Sequence, residues 1–180
     1  MRDAAPSDPD VLRRLAEGET GALGELYDRH QEPVRRFLSR ATADAEDVDD
    51  LVHATFLAAA RSAGRYDGRP SSRAWLIGIA AQLLRRRRRA FARLLAVLSS
   101  LRGARATHAD PRPMLHARSD VERALATISE PKRVTFLMAE VEELSCAEIA
   151  AVLGIPIGTV WTRLHAARRE LRQALEGDGS

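Results

Sequence analysis

The apolar residues of this 180-residue chain recur every three or four positions almost throughout. The clearest run extends from Ile157 to Ala174, where successive apolar side chains are 3, 4, 3, 4 and 3 residues apart. This spacing places the apolar side chains on one face of an α-helix, whereas a strand needs strict alternation, which no segment of the chain shows. We therefore predict an all-α fold.

The predicted arrangement is two small helical domains joined by a linker. Residues 20–38 and 44–62 each trace one apolar face, and a third helix is predicted from about residue 72. Pro33 is expected to kink or break the first of these helices. Residues 103–117 hold Gly, two Pro and few apolar residues, which is typical of a linker. The predicted boundaries are a tail with a short helix at 1–19, a first domain at 20–92, a linker at 93–118 and a second domain at 119–175.

The segment from Phe91 to Leu101 is more apolar than a linker needs to be. We expect it to continue the third helix and to pack on the first domain. The alternative is a docking segment for a partner.

Basic charge is concentrated in the middle of the chain. Residues 1–64 carry eight arginines against 13 acidic residues, and residues 120–180 carry seven basic against ten acidic groups. Residues 65–119 carry 13 arginines against two aspartates, a balance of +11 within a net charge of only +3. Such a concentration indicates a surface that binds a polyanion, and nucleic acid is the expected one.

Several classes of protein are excluded or disfavoured by composition. A single cysteine, Cys146, excludes a disulfide framework and any zinc site built from several cysteines. The five histidines are scattered, and neither a glycine-rich phosphate loop nor a catalytic constellation is visible. We therefore expect no enzyme activity, no metal and no cofactor. The polar, acidic start and the lack of a long apolar run predict a cytoplasmic chain without membrane insertion.

A helix-turn-helix is predicted in the second domain. Ser145 and Glu148 have the spacing of a capping box, which begins a short helix that Gly154 would end. A longer helix follows, and its outer face is rich in basic and hydroxyl groups. Such an arrangement places the second helix in the major groove of DNA. The alternative is an ordinary helical hairpin with a solvated face.

These residues resemble a known family. The run LSCAEIAAVLGIPIGTVWTRLHAARREL is similar to region 4 of the extracytoplasmic-function (group 4) sigma factors of the sigma-70 family of bacterial RNA polymerase. The first half of the chain resembles the same family, because DVDDLVHATFLAA is similar to the core-binding helix of sigma region 2. RYDGRPSSRAWLIGIAAQLLRRRRR resembles the segment that reads and melts the −10 element. The chain departs from the family pattern at His53, Gln82, Trp161 and Ala166, and the last two leave the recognition helix poorer in charge.

The resemblance implies partners and a role for each surface. The partners would be core RNA polymerase, through the clamp helices of its largest subunit and its flap, promoter DNA, and an anti-sigma factor. The implied core-binding residues are Glu46, Asp49, Asp50, His53 and Phe56. The implied −10 residues are Arg65, Tyr66, Arg69, Ser72, Arg73, Gln82, Arg85 and Arg86. The implied −35 residues are Thr159, Trp161, Thr162, Arg163, His165 and Arg168.

Two rival interpretations remain beside a promoter-reading sigma factor. A helix-turn-helix regulator that binds duplex DNA without joining polymerase would need neither the acidic helix from residue 44 nor the arginine-rich segment after Gly64. A small enzyme with a DNA-binding domain is disfavoured because the catalytic constellation is missing.

Overall fold

A computed structural model of the chain describes residues 6–42, 47–68, 71–102 and 120–177. Within these residues every regular element is helical, as predicted. The α-helices of the described residues, in chain order, are α1 (Asp8–Ala16), α2 (Thr20–Ala41), α3 (Asp47–Ser62), α4 (Ser72–Arg102), α5 (Asp120–Thr127), α6 (Glu130–Glu140), α7 (Cys146–Leu153) and α8 (Ile157–Gly177). A 3₁₀ turn, Ala63–Arg65, follows α3.

Helices α1 to α4 form an N-terminal bundle. The short helix expected in the tail is α1, and it is packed rather than loose, because Val11, Leu12 and Leu15 are buried. Its first residue, Asp8, also accepts hydrogen bonds from α2, at 3.0 Å from Arg29 and 2.7 Å from the His30 ring. The bundle therefore starts upstream of the expected boundary at residue 20.

Helix α2 runs through Pro33 without ending there. Proline has no backbone N–H, so the helix loses one hydrogen bond there. Buried residues on both sides of Pro33 stabilise the helix by packing in the core. Leu26 lies before Pro33, and Val34, Phe37 and Leu38 follow it, all on the core side. Tertiary packing of this face outweighs the local cost of the proline.

Helix α4 is much longer than α3, one of the helices on which its first half packs. Its first half is buried through Leu84, whereas Phe91, Leu94, Leu95 and Val97 are 40% to 57% exposed. The 31 residues of α4 span roughly 46 Å and the 16 residues of α3 only about 24 Å, at 1.5 Å per residue. The predicted continuation of the helix is therefore confirmed, but its predicted packing on the first domain is wrong.

Helices α5 to α8 form a C-terminal bundle. The apolar stripe of α8, with Val160, Leu164, Ala167 and Leu171, is buried against α5, α6 and α7. Contacts of α4 with α7 and of α2 with α6 also join the two bundles, and one cluster of buried side chains runs through both.

No single helix in the described ranges has the length and apolar character to cross a membrane, although α7 and α8, bent by 112° at their junction, pass such a test as a pair by length and composition alone.

Candidate nucleic-acid and partner interfaces

The capping box that begins α7 is present in the structure. The Ser145 side chain accepts from the backbone N–H of Glu148 at 3.2 Å, and the Glu148 carboxylate accepts from the backbone N–H of Ser145 at 2.9 Å. These bonds, with the Ser145 hydroxyl donating to the same carboxylate, lower the pKa of Glu148. The box fixes the residue at which the helix begins, as the sequence predicts.

Gly154 makes the turn between α7 and α8. It has a φ of 61°, in the left-handed region, and its N–H closes the last turn of α7 on Ala150 and Ala151. Glycine adopts this conformation without steric cost. The following helix leaves at 112° to α7, within the range of a helix-turn-helix. The predicted helix-turn-helix is therefore what the chain forms.

We expect Ser145→Ala to lower the free energy of unfolding by about 1 kcal/mol at neutral pH, because an N-terminal cap of α7 is lost. Glu148 has a folded pKa below its unfolded value, so its contribution is present above the unfolded pKa and disappears as pH falls through the folded one. The gap between wild type and variant should shrink in acid. Urea unfolding monitored by circular dichroism at several pH values tests this. A gap that stays constant down to the most acidic pH would contradict the role of the carboxylate.

The outer face of α8 is largely open. Trp161 is 59% exposed, and Thr162, His165 and Arg168 are also exposed. The Thr162 hydroxyl donates back to the Gly158 carbonyl at 2.9 Å, and Arg168 pairs with Glu140 of α6 at 2.6 Å. Of the six −35 residues implied by the sequence, these four share the open face.

Arg163 and Thr159 differ from the other four, since both are only half exposed. Burial lowers the pKa of Arg163, and the charges of Arg85 and Arg88 lower it further. Arg85 and Arg88 belong to α4, so the structure brings cationic residues of both bundles together. Sequence spacing gave no sign of this proximity.

The acidic face of α3 carries Asp49, Asp50 and His53, all exposed. Asp49 is ion-paired with Arg35 of α2, and a ring nitrogen of His53 lies 2.8 Å from the Asp49 carbonyl oxygen. Phe56 is only 3% exposed and packs edge-on against Tyr27, with ring centroids 4.8 Å apart. It supports this face from beneath, so in this conformation it is not a contact residue. Glu46 lies outside the described residues.

The segment resembling a −10 reader is only partly open. Arg65 and Arg73 are exposed, whereas Ser72 is buried and lies 3.4 Å from the Tyr66 hydroxyl. The Tyr66 ring also contacts Trp75, which packs against the core, at a centroid distance of 5.1 Å. Arg69 lies outside the described residues.

The consecutive arginines of α4, at positions 85–89, differ in their contacts. Arg85 donates to the Leu153 carbonyl at 2.7 Å, and Arg87 is ion-paired with Asp47. Arg86, Arg88 and Arg89 are exposed. Gln82, although exposed on its outer side, donates to the Val152 carbonyl.

Among the described residues, a charged side chain in the core was missed by sequence reasoning. Arg133, at 5% exposure, is buried in α6. It lies near the start of an amphipathic helix, and no local pattern in the sequence distinguishes it from an arginine that is exposed to solvent. Within the described residues no cluster of His, Cys, Asp and Glu could hold a metal ion.

Comparison with known families gives two matches in chain order. The model described as "Sigma-70 region 2" matches residues 26–94, and that described as "Sigma-70, region 4" matches residues 118–171. These ranges contain the acidic face of α3, the arginine run of α4 and the helix-turn-helix.

Individual relatives match over nearly their whole length. The chain is 31% identical to "RNA polymerase sigma factor CarQ" of Myxococcus xanthus, over 91% of this chain and 95% of the relative. It is 31% identical to "ECF RNA polymerase sigma factor SigC" of Mycobacterium tuberculosis, over 97% of each. Among solved structures, CnrH in complex with the cytosolic domain of CnrY matches at 27% identity and a TM-score of 0.64, over 96% of this chain and 99% of that one. The sigma factor RpoE of Bartonella quintana, solved with the anti-sigma factor NepR, shares the fold at 21% identity and a TM-score of 0.63, over 81% and 91%.

Proposed function

The chain belongs to the extracytoplasmic-function group of the sigma-70 family of RNA polymerase sigma factors, and we propose which of its surfaces carries out each part of that function. As a sigma factor it binds core RNA polymerase and promoter DNA and directs transcription initiation, and its family is not catalytic. A regulator that binds DNA without joining polymerase is not favoured. The observation that carries the proposal is an exposed acidic face on α3 in the same chain as a helix-turn-helix.

The acidic face of α3 is the proposed docking site for the clamp helices of the polymerase largest subunit. Asp49, Asp50 and His53 are side by side and open to solvent, while the buried Phe56 fixes the helix beneath them. Carboxylates at an interface rim set the rate of encounter and the register of docking on a basic surface. Glu46 is proposed as part of the same face from its sequence position alone. The polymerase flap is the proposed partner of the C-terminal bundle.

The −10 element is assigned to the segment from Tyr66 to Ser72 and the adjoining face of α4. An unstacked base needs a pocket on a polar segment, and Arg65 and Arg73 on either side of this segment would hold phosphates. The neutral amide of Gln82 and the cationic side chains of Arg85 and Arg86 extend this face along α4. Arg69 is included from its position in the sequence.

The −35 element is assigned to the outer face of α8. Trp161, Thr162 and His165 are open on that face, and Arg163 follows directly on Thr162. One bidentate arginine–guanine contact contributes roughly 1–3 kcal/mol of discrimination between bases. Thr159 and Arg168 would position the helix on phosphates.

A cytoplasmic location and control by an anti-sigma factor complete the proposal. Transcription by core RNA polymerase takes place in the cytoplasm, so this function requires a cytoplasmic location. Control by an anti-sigma factor is supported by the similar fold of the sigma factor RpoE of Bartonella quintana, which was solved in complex with the anti-sigma factor NepR.

The function is tested by reconstitution. Purified chain mixed with core RNA polymerase should co-elute from a sizing column, and the complex should initiate from a defined start site on genomic fragments. The matched control is core polymerase without the chain. Binding to DNA fragments with no binding to polymerase would refute the proposal and establish the stand-alone regulator.

Charge on the recognition helix is the basis of a quantitative prediction. Ala166 lies on α8 near Thr162 and His165, so Ala166→Arg should add one phosphate contact. We expect holoenzyme to bind its promoter more tightly and the salt dependence of binding to steepen by about 0.9 in log–log slope. Fluorescence anisotropy on promoter fragments at several salt concentrations measures both.

The control for this prediction is Ala16→Arg, which adds the same charge at the exposed end of α1. It should leave the slope unchanged. Equal slopes for wild type, Ala166→Arg and the control would mean that this face of α8 does not meet DNA.

A further inference from the structure

The N-terminal part of α8 carries an exposed apolar patch. Trp161 is 59% exposed and Ile157 is 40% exposed, although both side chains are large and apolar. They are four residues apart, so they lie on the same side of the helix, one turn after the other. Val160 and Leu164, by contrast, are buried in the core of the C-terminal bundle. The two exposed side chains therefore lie outside the packed face of α8.

This part of α8 also carries no charge. Residues 157–162 include no lysine, arginine, aspartate or glutamate. In a helix-turn-helix, the N-terminal residues of the second helix reach the base edges in the major groove. The side chains that would meet the bases here are therefore apolar or neutral.

The nearest arginines of α8 are poorly placed to share a base pair with Trp161. Arg163 is only half exposed and is two residues further on, and residues two apart on a helix do not face the same way. Arg168 lies on the side of Trp161 but about 10 Å further along the axis. Two of its nitrogens donate to Glu140 of α6, at 3.1 and 2.6 Å. A base pair beside Trp161 is therefore out of reach of both guanidinium groups.

The neutral side chains around the patch offer few donors to a base. The Thr162 hydroxyl donates to the Gly158 carbonyl at 2.9 Å, so its proton is already used within the helix. Trp161 has one donor, the indole N–H, and His165 can offer one ring N–H to a base. Guanine presents two acceptors in the major groove and is discriminated by a pair of donors from one side chain, as arginine provides. The patch lacks the group that recognises guanine in this way.

The apolar group that DNA exposes in the major groove is the 5-methyl group of thymine. It distinguishes adenine–thymine pairs from the others, and apolar side chains recognise it by contact. Burial of one methyl group changes a binding constant by about fourfold. Two such contacts would give a preference of roughly 15-fold.

We propose that α8 recognises thymine methyl groups through Trp161 and Ile157, so that adenine–thymine pairs define the preferred −35 element at the positions these side chains face. The proposal rests on the assignment of α8 to the −35 element and adds to it the base that is read. Discrimination comes from the apolar side chains. The basic side chains of the chain bind phosphates, which carry no sequence information.

A protein partner is the other class of ligand that an exposed tryptophan fits. Protein-docking surfaces are extended apolar areas, and this patch has only two large apolar side chains. Its neighbours on the helix surface are Gly158, Thr162 and His165, which are small or polar. The position of the patch at the start of the second helix of a helix-turn-helix favours DNA.

The preferred −35 sequence is determined first. Holoenzyme made from the full chain and core polymerase selects from a promoter fragment, recovered by reconstitution, whose −35 region is randomised. Wild type should enrich thymine, and Trp161→Arg should shift the enrichment at one position to guanine, because arginine supplies paired donors. The matched control is Leu175→Ala, which truncates another exposed apolar side chain near the end of α8 and should keep the wild-type preference.

The methyl group is then tested alone. The selected duplex is resynthesised with deoxyuridine in place of the −35 thymines, because uracil pairs with adenine as thymine does but lacks the 5-methyl group. In anisotropy measurements, wild-type holoenzyme should bind the uracil duplex about fourfold more weakly for each methyl group that is read. Trp161→Ala should reduce this difference by about fourfold, and Leu175→Ala should retain all of it.

A methyl dependence that Trp161→Ala reduces supports the proposal. Equal binding of the thymine and uracil duplexes by wild type, or a difference that Trp161→Ala leaves unchanged, overturns it while the proposed function stands. Loss of co-elution with core polymerase in Trp161→Ala, with the base preference retained, overturns it in favour of a protein-docking patch. The full chain alone is measured on the same kind of duplexes. A methyl dependence in a chain that does not join polymerase would support the thymine readout and refute the proposed function.

Discussion

Asp50→Arg combined with His53→Glu is expected to weaken association with core RNA polymerase by at least about 100-fold, because like charges facing one another at an interface cost several kcal/mol. Both residues are exposed on α3, so neither change creates a cavity. Co-elution with core polymerase and the thermal unfolding midpoint of the free variant are the measurements. The unfolding midpoint should remain close to that of wild type.

A matched control repeats this charge pattern elsewhere. Glu17→Arg with Thr20→Glu makes the same net change at the same spacing on the exposed surface where α1 ends and α2 begins. It should retain the association with core polymerase. If the α3 variant co-elutes as well as this control does, the acidic face of α3 is not the docking site.

The second large effect is expected from the open arginines of α4. Arg86, Arg88 and Arg89 are exposed, whereas Arg85 and Arg87 are already engaged with Leu153 and Asp47. Replacing the three exposed arginines by alanine should flatten the salt dependence of promoter binding by up to about 3 log–log slope units and weaken binding roughly 10- to 100-fold at low salt. Promoter binding by holoenzyme, followed by anisotropy across a salt series, measures both quantities.

The control removes three exposed arginines from other helices, by Arg13→Ala, Arg36→Ala and Arg61→Ala. Its salt slope should stay within about one unit of the wild-type slope. The loss in the α4 variant should be similar on unrelated −10 sequences, since phosphates carry no sequence information. A loss confined to one −10 sequence would show instead that these arginines read bases.

Local signals in the sequence determined the helices and the helix-turn-helix. The capping box from Ser145 to Glu148 and the turn at Gly154 depend on residues within a few positions of each other. The apolar stripe of α8 depends only on spacing along one helix. Such features form wherever the residues occur in order, so the sequence alone was sufficient to predict them.

Features that depend on distant residues were decided by the tertiary structure. Two pairs of residues meet only when the two bundles pack: Gly78 with Val152, and Ala41 with Arg133. The local sequence around either residue of a pair does not identify its partner. The exposure of the end of α4 likewise depends on the shorter length of α3 beside it. Periodicity shows which face of a helix is apolar, but burial also requires a second surface within reach. For this reason the sequence predicted which helix faces are apolar and which are charged, and only the packing of the bundles showed which helices of the two domains meet.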